Sequence, residues 1–225
     1  MLNSYKEFKK DKIYLVGHSW GTFLAIHAIS LRPDLYHSYL GIGQFVNAIE
    51  AERLSREYTM EYLQQSGDKA GYDAVKKLGP PPYENALESI TLERKYLWKT
   101  NGFIAENFSM GKMTWDIFTF PEYSFYDVYR YVKGSIFSLK LLNNGEIWKM
   151  ELDKQIVHFK IPVYFVSGEY DFTTPSSLVE SYYKKIASPE KKFIKISGCA
   201  HLPNFENPVE FNKIVIELFK GTSRN

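Results

Sequence analysis

Ser19, Asp171 and His201 are the residues of this chain whose types and surroundings suit covalent chemistry. A serine hydroxyl is a weak nucleophile at neutral pH and needs a base within hydrogen-bond reach. Histidine suits that task, and a carboxylate on its other ring nitrogen fixes the tautomer and steadies the imidazolium. Ser19 lies in Gly17-His18-Ser19-Trp20-Gly21, a G-x-S-x-G pattern between two apolar runs, Ile13-Tyr14-Leu15-Val16 and Phe23-Leu24-Ala25-Ile26. A strand, a tight turn carrying serine and a buried helix is the context in which this pattern makes a strained, exposed nucleophile. Glycines at 17 and 21 are expected to remove collisions between that strand and helix. Asp171 closes Ser167-Gly168-Glu169-Tyr170-Asp171 and His201 closes Ser197-Gly198-Cys199-Ala200-His201, each a glycine-containing loop after an apolar run. Glu169 is a second candidate for the acid, nearer its strand.

The elements that must position these residues are legible in the hydrophobic pattern. Residues 13–16, 39–42, 163–166 and 193–196 read as strands, the first of them a buried parallel one. Residues 20–31 read as a helix closed by Pro33, and a helix from about Pro175 to Ile186 has Thr174 as its expected cap and Pro175 in its first turn. The last helix is signalled by Asn207 as cap, Pro208 at the first helical position and Glu210 completing a capping box. Phe211, Ile214, Val215 and Leu218 follow as one apolar face. From about Asn47 to Met150 the spacing turns helical, as in Phe125, Val128, Tyr129 and Val132, with breaks at Gly79-Pro80-Pro81-Pro82 and Phe120-Pro121. The domain reading is therefore residues 1–46 and 151–225 as an α/β core and 47–150 as an inserted helical cap. Strands alternating with helices imply a parallel sheet with right-handed crossovers, and ligands gather at the carboxyl ends of such strands.

Bulk properties narrow the function classes. The chain has 225 residues, 44% hydrophobic and 24% charged, which suits one sizeable core with an insertion. A net charge of +2, with no long Lys/Arg run, gives no electrostatic footprint for nucleic acid. Cys199 is the single cysteine, so no intrachain disulfide is possible and a reducing, cytoplasmic setting is expected. No apolar stretch approaches a membrane span, and the polar start Met1-Leu2-Asn3-Ser4-Tyr5-Lys6 does not read as a signal peptide. No His/Cys/Asp cluster has ligand spacing, so neither a metal nor a cofactor is expected. His18 reads as a packing residue beside the elbow, His27 as a core histidine, and His37 and His158 as exposed.

These motifs, from about Asp11 to Phe219, resemble the carboxyl-terminal part of an α/β-hydrolase with a helical cap. The order Ser, Asp, His along the chain is that family's order. The stretch Gly17-His18-Ser19-Trp20-Gly21-Thr22 is similar to elbows of the proline-iminopeptidase-like branch. The resemblance implies Ser19 as nucleophile, Asp171 as acid, His201 as base and the Trp20 N–H as one donor of an oxyanion hole. In the family several strands precede the elbow strand, and a loop among them supplies the second donor. Here the elbow strand comes near the start, and Met1 to Lys10 resembles only the tail of the preceding helix. The expectation is an exposed edge on strand 13–16, paired by a complementing amino-terminal chain, by a second copy, or covered by Met1 to Lys10.

The chemistry implied is hydrolysis of an ester, amide or small peptide through an acyl-enzyme, without a cofactor. Trp98, Trp115, Phe118, Phe120, Tyr123, Phe125 and Tyr126 are expected to pack within the cap or roof an apolar pocket. An aminopeptidase would need cap carboxylates for the substrate's ammonium, for which Glu50, Glu52, Glu84 and Glu88 are available and none is assigned. The alternative is a catalytically impaired binding or assembly module that retains the three residues. Carbon–halogen cleavage on this fold calls for aspartate where this chain has Ser19.

Overall fold

Period-two alternation along two central strands divides the apolar side chains between two layers. Tyr39, Val163 and Phe165 point to one side of the sheet, and Leu40, Ile42, Tyr164 and Val166 to the other. The computed structural model describes residues 12–105, 108–142 and 145–222. Met1 to Lys10, expected as a helix tail covering an edge, lies outside the described residues.

The sheet has four parallel strands in the order β1 (Ile13–His18), β2 (Tyr36–Ile42), β3 (Val163–Gly168) and β4 (Lys191–Ile196). The connections carry α1 (Trp20–Leu31), a long helical excursion, and α8 (Ser176–Lys185); α9 (Pro203–Glu206) and α10 (Pro208–Thr222) end the chain. Helices α1 and α8 cover the first face, where Ile26, Ile29, Val179 and Tyr182 are buried against the strands. Helix α10 covers the second, burying Ile214 and Leu218, with Phe211 and Val215 packed beside them. Fully burying one such aliphatic side chain contributes about 1.5–3 kcal/mol, so these two layers are the main stabilising mass of the core.

β1 is parallel as expected but lies at an end of the sheet, bonded to β2 alone among the described strands. Of its residues only Gly17 is buried, and Val16 is 49% exposed. Helix α1 is apolar on every side, yet Leu24 and Leu31 face solvent.

The excursion consists of α2 (Ala48–Gln65), α3 (Lys69–Lys77), α4 (Ala86–Leu97), α5 (Met110–Thr119), α6 (Phe125–Leu142) and the single turn α7 (Leu152–Gln155) that returns to the sheet. Its ends are clasped. Ala48 N–H donates to Met150 O at 3.1 Å and Leu152 N–H to Val46 O at 2.7 Å. Asparagine caps recur, Asn47 accepting from Glu50 N–H and Asn85 from Glu88 N–H. The polar interior between α2 and α4 is built on Glu93, which is fully buried. Its carboxylate accepts Ser55 and Thr59 hydroxyls at 2.9 Å each and pairs with Arg94, which also grips Glu52.

The seven aromatics expected to pack within the cap or roof a pocket, Trp98, Trp115, Phe118, Phe120, Tyr123, Phe125 and Tyr126, are all exposed. Trp115 and Phe118 lie on α5 and Phe125 and Tyr126 on α6, helices that make few contacts with the other described elements, so their faces stay uncovered. Phe125, Tyr129 and Val132 on α6 are exposed in the same way, and only Val128 of that set is partly buried.

Candidate active site

The turn between β1 and α1 holds Ser19 at φ 52° and ψ −123°, the one described non-glycine residue with positive φ. Such a conformation costs about 1–3 kcal/mol and persists only where the surroundings over-determine it. Here they do. Ser19 N–H donates to Ile42 O at 2.9 Å, and Ser19 O accepts both the backbone N–H of Thr22 at 2.9 Å and its hydroxyl at 2.6 Å. The Thr22 hydroxyl in turn accepts Phe45 N–H at 2.8 Å, fixing the loop after β2. A Cβ on Gly17 would stand 2.9 Å from Gly21 O, so glycine is required there. At Gly21 a Cβ would meet nothing within 4 Å, so the collision expected at that position is absent.

Asp171 is 1% exposed in the loop after β3. Its Oδ1 accepts the N–H groups of Thr173 and Thr174, each at 2.9 Å. Its Oδ2 accepts the Thr174 hydroxyl at 2.8 Å and lies 2.9 Å from His201 Nδ1. Thr174 therefore does not cap the next helix: its side chain is committed to Asp171, α8 starts at Ser176, and Pro175 takes the cap position. The last helix opens at Pro208 with Asn207 as cap, its Oδ1 accepting Glu210 N–H at 3.2 Å, but the expected capping box is not completed, because Asn207 N–H donates to Pro203 O.

His201 is 3% exposed, and its Nε2 lies 2.8 Å from Ser19 Oγ. With Asp171 accepting from Nδ1–H, the neutral ring has its Nε2 lone pair facing the serine hydroxyl. The sheet thus brings Ser19, His201 and Asp171 into one hydrogen-bonded line from the ends of three strands. Two glycines make room for it. A Cβ on Gly43, at φ 54°, would lie 3.0 Å from the His201 ring, and one on Gly168 would lie 2.0 Å from Ala200 O. Glu169, the other acid candidate, points away; its carboxylate accepts Ser197 Oγ at 2.7 Å and Gly198 N–H at 3.2 Å.

Trp20 begins α1, so its N–H has no intrahelical acceptor, and it bonds to nothing else among the described residues. It adjoins Ser19 and is free to donate. The Trp20 side chain lines a cavity of about 650 Å3 shared with Ala86, Leu87, Ile90, Tyr131 and Ile147. His18 donates from Nε2 to His201 O at 2.9 Å. Burial holds its pKa below the usual histidine value, and the neighbouring His201 adds to that. Cys199 is buried and its thiol is pushed up to about 11 by desolvation, which leaves it unreactive. His37, expected to be exposed, is half-buried with its ring tilted against that of Tyr14 at 5.1 Å, and His158 is exposed as expected. No cluster of metal-ligating side chains occurs among the described residues.

Three contributors were not legible in the sequence. Thr174 reads as a helix cap, and Phe103 and Glu206 stand in no motif. Phe103 O accepts His201 N–H at 3.1 Å and its ring lies 5.7 Å from the His201 ring. A residue from the helical excursion reaching the histidine loop has no local sequence signal.

A parallel sheet covered on both faces, with an elbow serine meeting a histidine and an aspartate at its strand ends, defines a class of fold. The chain belongs to the alpha/beta hydrolase fold family, whose model matches residues 5–208. Among curated proteins it is similar to the probable aminopeptidase YbaC of Bacillus subtilis (strain 168), at 28% identity over 204 residues. That match covers 91% of this chain and 64% of the relative, so the chain spans less than two thirds of that protein's length. Among solved structures it resembles VinJ, with TM-score 0.58, 12% identity, 94% of this chain and 67% of the other covered. It also resembles a proline iminopeptidase of Mycobacterium smegmatis, with TM-score 0.56, 14% identity and coverage of 94% and 66%. At these identities the structural likenesses speak for the fold alone. Among the described residues no helix is long and apolar enough to cross a membrane.

Proposed function

We propose that this chain carries the machinery of a serine hydrolase acting on an ester, amide or small peptide through an acyl-enzyme. The observation that carries the reading is the unbroken line from Ser19 Oγ through His201 to Asp171, at 2.8 and 2.9 Å. Ser19 Oγ attacks the substrate carbonyl carbon while its proton passes to His201 Nε2. Asp171 holds the imidazolium through Nδ1–H, and the Trp20 N–H donates to the developing oxyanion. His201 then gives its proton to the leaving group as the tetrahedral intermediate collapses. Water, deprotonated by the same nitrogen, attacks the acyl carbonyl and releases the acid and Ser19. No cofactor enters these steps.

The apolar cavity floored by Trp20 and walled by α4 and α6 supports an apolar substrate group. The name aminopeptidase, carried by the Bacillus relative, supports a peptide with a free amino end. Two carboxylates considered for that end are already engaged, however, Glu50 by Arg53 and Glu52 by Arg94. Ester and amide substrates therefore stay beside peptides in the proposal. Labelling by a fluorophosphonate, mapped to Ser19 and absent in Ser19→Ala, tests the chemistry.

A second reading is favoured by one observation, the apolar exposure of Val16, Leu24 and Leu31 along β1 and α1. In it the edge of β1 is paired by a second copy or by a complementing amino-terminal chain, and the site works only in that assembly. The single buried cysteine supports a cytoplasmic, reducing setting for either reading.

A further inference from the structure

The loop at residues 100–105, which belongs to the helical excursion, is fastened to two of the three loops that carry the active-site side chains, those of Asp171 and His201. Phe172 N–H, next to Asp171, donates to Gly102 O at 2.8 Å, and His201 N–H donates to Phe103 O at 3.1 Å. The third fastening is a side chain. Glu206, in α9, accepts Ala105 N–H on Oε1 at 3.3 Å and the N–H of Ala200 on Oε2 in a short bond. One carboxylate thus bridges the peptide preceding His201 and the end of the 100–105 loop. Ala200 is fully buried and Leu202 nearly so, so losing the carboxylate would leave a buried backbone N–H beside His201 without its acceptor.

We propose that Glu206 is a positioning residue for His201, setting the ring's place between Ser19 and Asp171 according to where the 100–105 loop sits. The inference rests on the hydrolase reading above. It also gives the excursion a route to the reaction centre: movement of the loop pulls on Oε1, and Oε2 passes the pull to the peptide next to His201. Among the described residues the charged groups around Glu206 are few. Asp171 lies near enough to repel it, and Lys112 and Asp116 of α5, paired at 2.7 Å, share a cavity of about 700 Å3 with it. Desolvation is the main cause that raises its pKa, with the Asp171 charge a smaller one. The backbone N–H groups favour the anion that can accept on both oxygens.

The test compares wild type, Glu206→Ala and Glu206→Gln by fluorophosphonate labelling rate, by kcat and KM on a nitrophenyl ester, and by the downfield NMR resonance of His201 Nδ1–H. Glu206→Ala is expected to slow labelling and kcat by about 10- to 100-fold with KM little changed, as a misplaced base does. Glu206→Gln keeps the shape and one acceptor, so it should recover part of that loss, remaining about 3- to 10-fold slow. The downfield resonance should broaden or shift in step. Wild-type rates and an unmoved resonance in Glu206→Gln would overturn the proposal, even if Glu206→Ala failed to fold. If wild type itself does not label, the hydrolase reading falls, and the resonance alone decides the positioning role.

Discussion

Gly17 and Gly21 look equivalent in the elbow pattern, yet the space around them differs. A methyl on Gly17 would press on the backbone of Gly21 and Thr22 at 2.9–3.1 Å, and neither can give way without moving Ser19. Gly17→Ala should therefore cost about 1–3 kcal/mol of stability. Gly21→Ala should be neutral or stabilise by up to about 1 kcal/mol, because alanine is the better helix residue and meets nothing. Denaturant melts of both variants check this, and equal losses would contradict it. His18 gives a pH effect whose sign is fixed. Its folded pKa lies below the unfolded value of about 6.5, so the folded state binds fewer protons there. The stability it contributes is present above pH 6.5 and is lost as pH falls from there through the lower folded value. Melting temperatures from pH 8 to 5 should fall more steeply in wild type than in His18→Asn. Parallel curves would show that the ring is not desolvated as described.

Helix α1 is apolar on all sides and buries Ile26 and Ile29 against the sheet, and β1 stands at the end of the sheet of described strands, bonded to β2. If that edge is filled by a second copy, Val16→Lys should leave monomer folding nearly intact and abolish dimers. Val16 is half exposed, and an edge lysine opposes strand pairing. Sedimentation of both proteins reads the outcome, and a wild type monomeric at high concentration would sink the homodimer form of the second reading. Helices also show what sequence does and does not reveal. Helix α1 and α10 were legible nearly to the residue, because Pro33, Asn207 and Pro208 punctuate strong apolar periods. Period tells which residues share a face but not whether anything covers it, and so the aromatics of α5 and α6 read as buried. The Glu93–Arg94–Glu52 interior of α2 and α4 left no periodic trace, since it is made by charged residues that pattern alone assigns to the surface. Thr174 was misread for a related reason: a threonine before Pro175 signals a cap locally, while its hydroxyl answers to Asp171 three residues back.

At the scale of the whole molecule, four parallel strands carry three loops to one end of the sheet, and the helical excursion reaches back to two of them. The meeting of Ser19, Asp171 and His201 was legible because each follows an apolar strand in a loop containing glycine. The contacts that hold the meeting in place were not, because Phe103 and Glu206 act across large sequence separations. The most direct measurement of the central claim is fluorophosphonate labelling of the chain, read by intact mass and peptide mapping, with Ser19→Ala and Asp171→Asn beside it. One adduct per chain on Ser19 is expected, none in Ser19→Ala, and a rate lower by about 10⁴-fold in Asp171→Asn, where the histidine tautomer is no longer fixed. A folded wild type that takes no adduct, alone or at concentrations that favour assembly, would contradict the hydrolase reading of this chain.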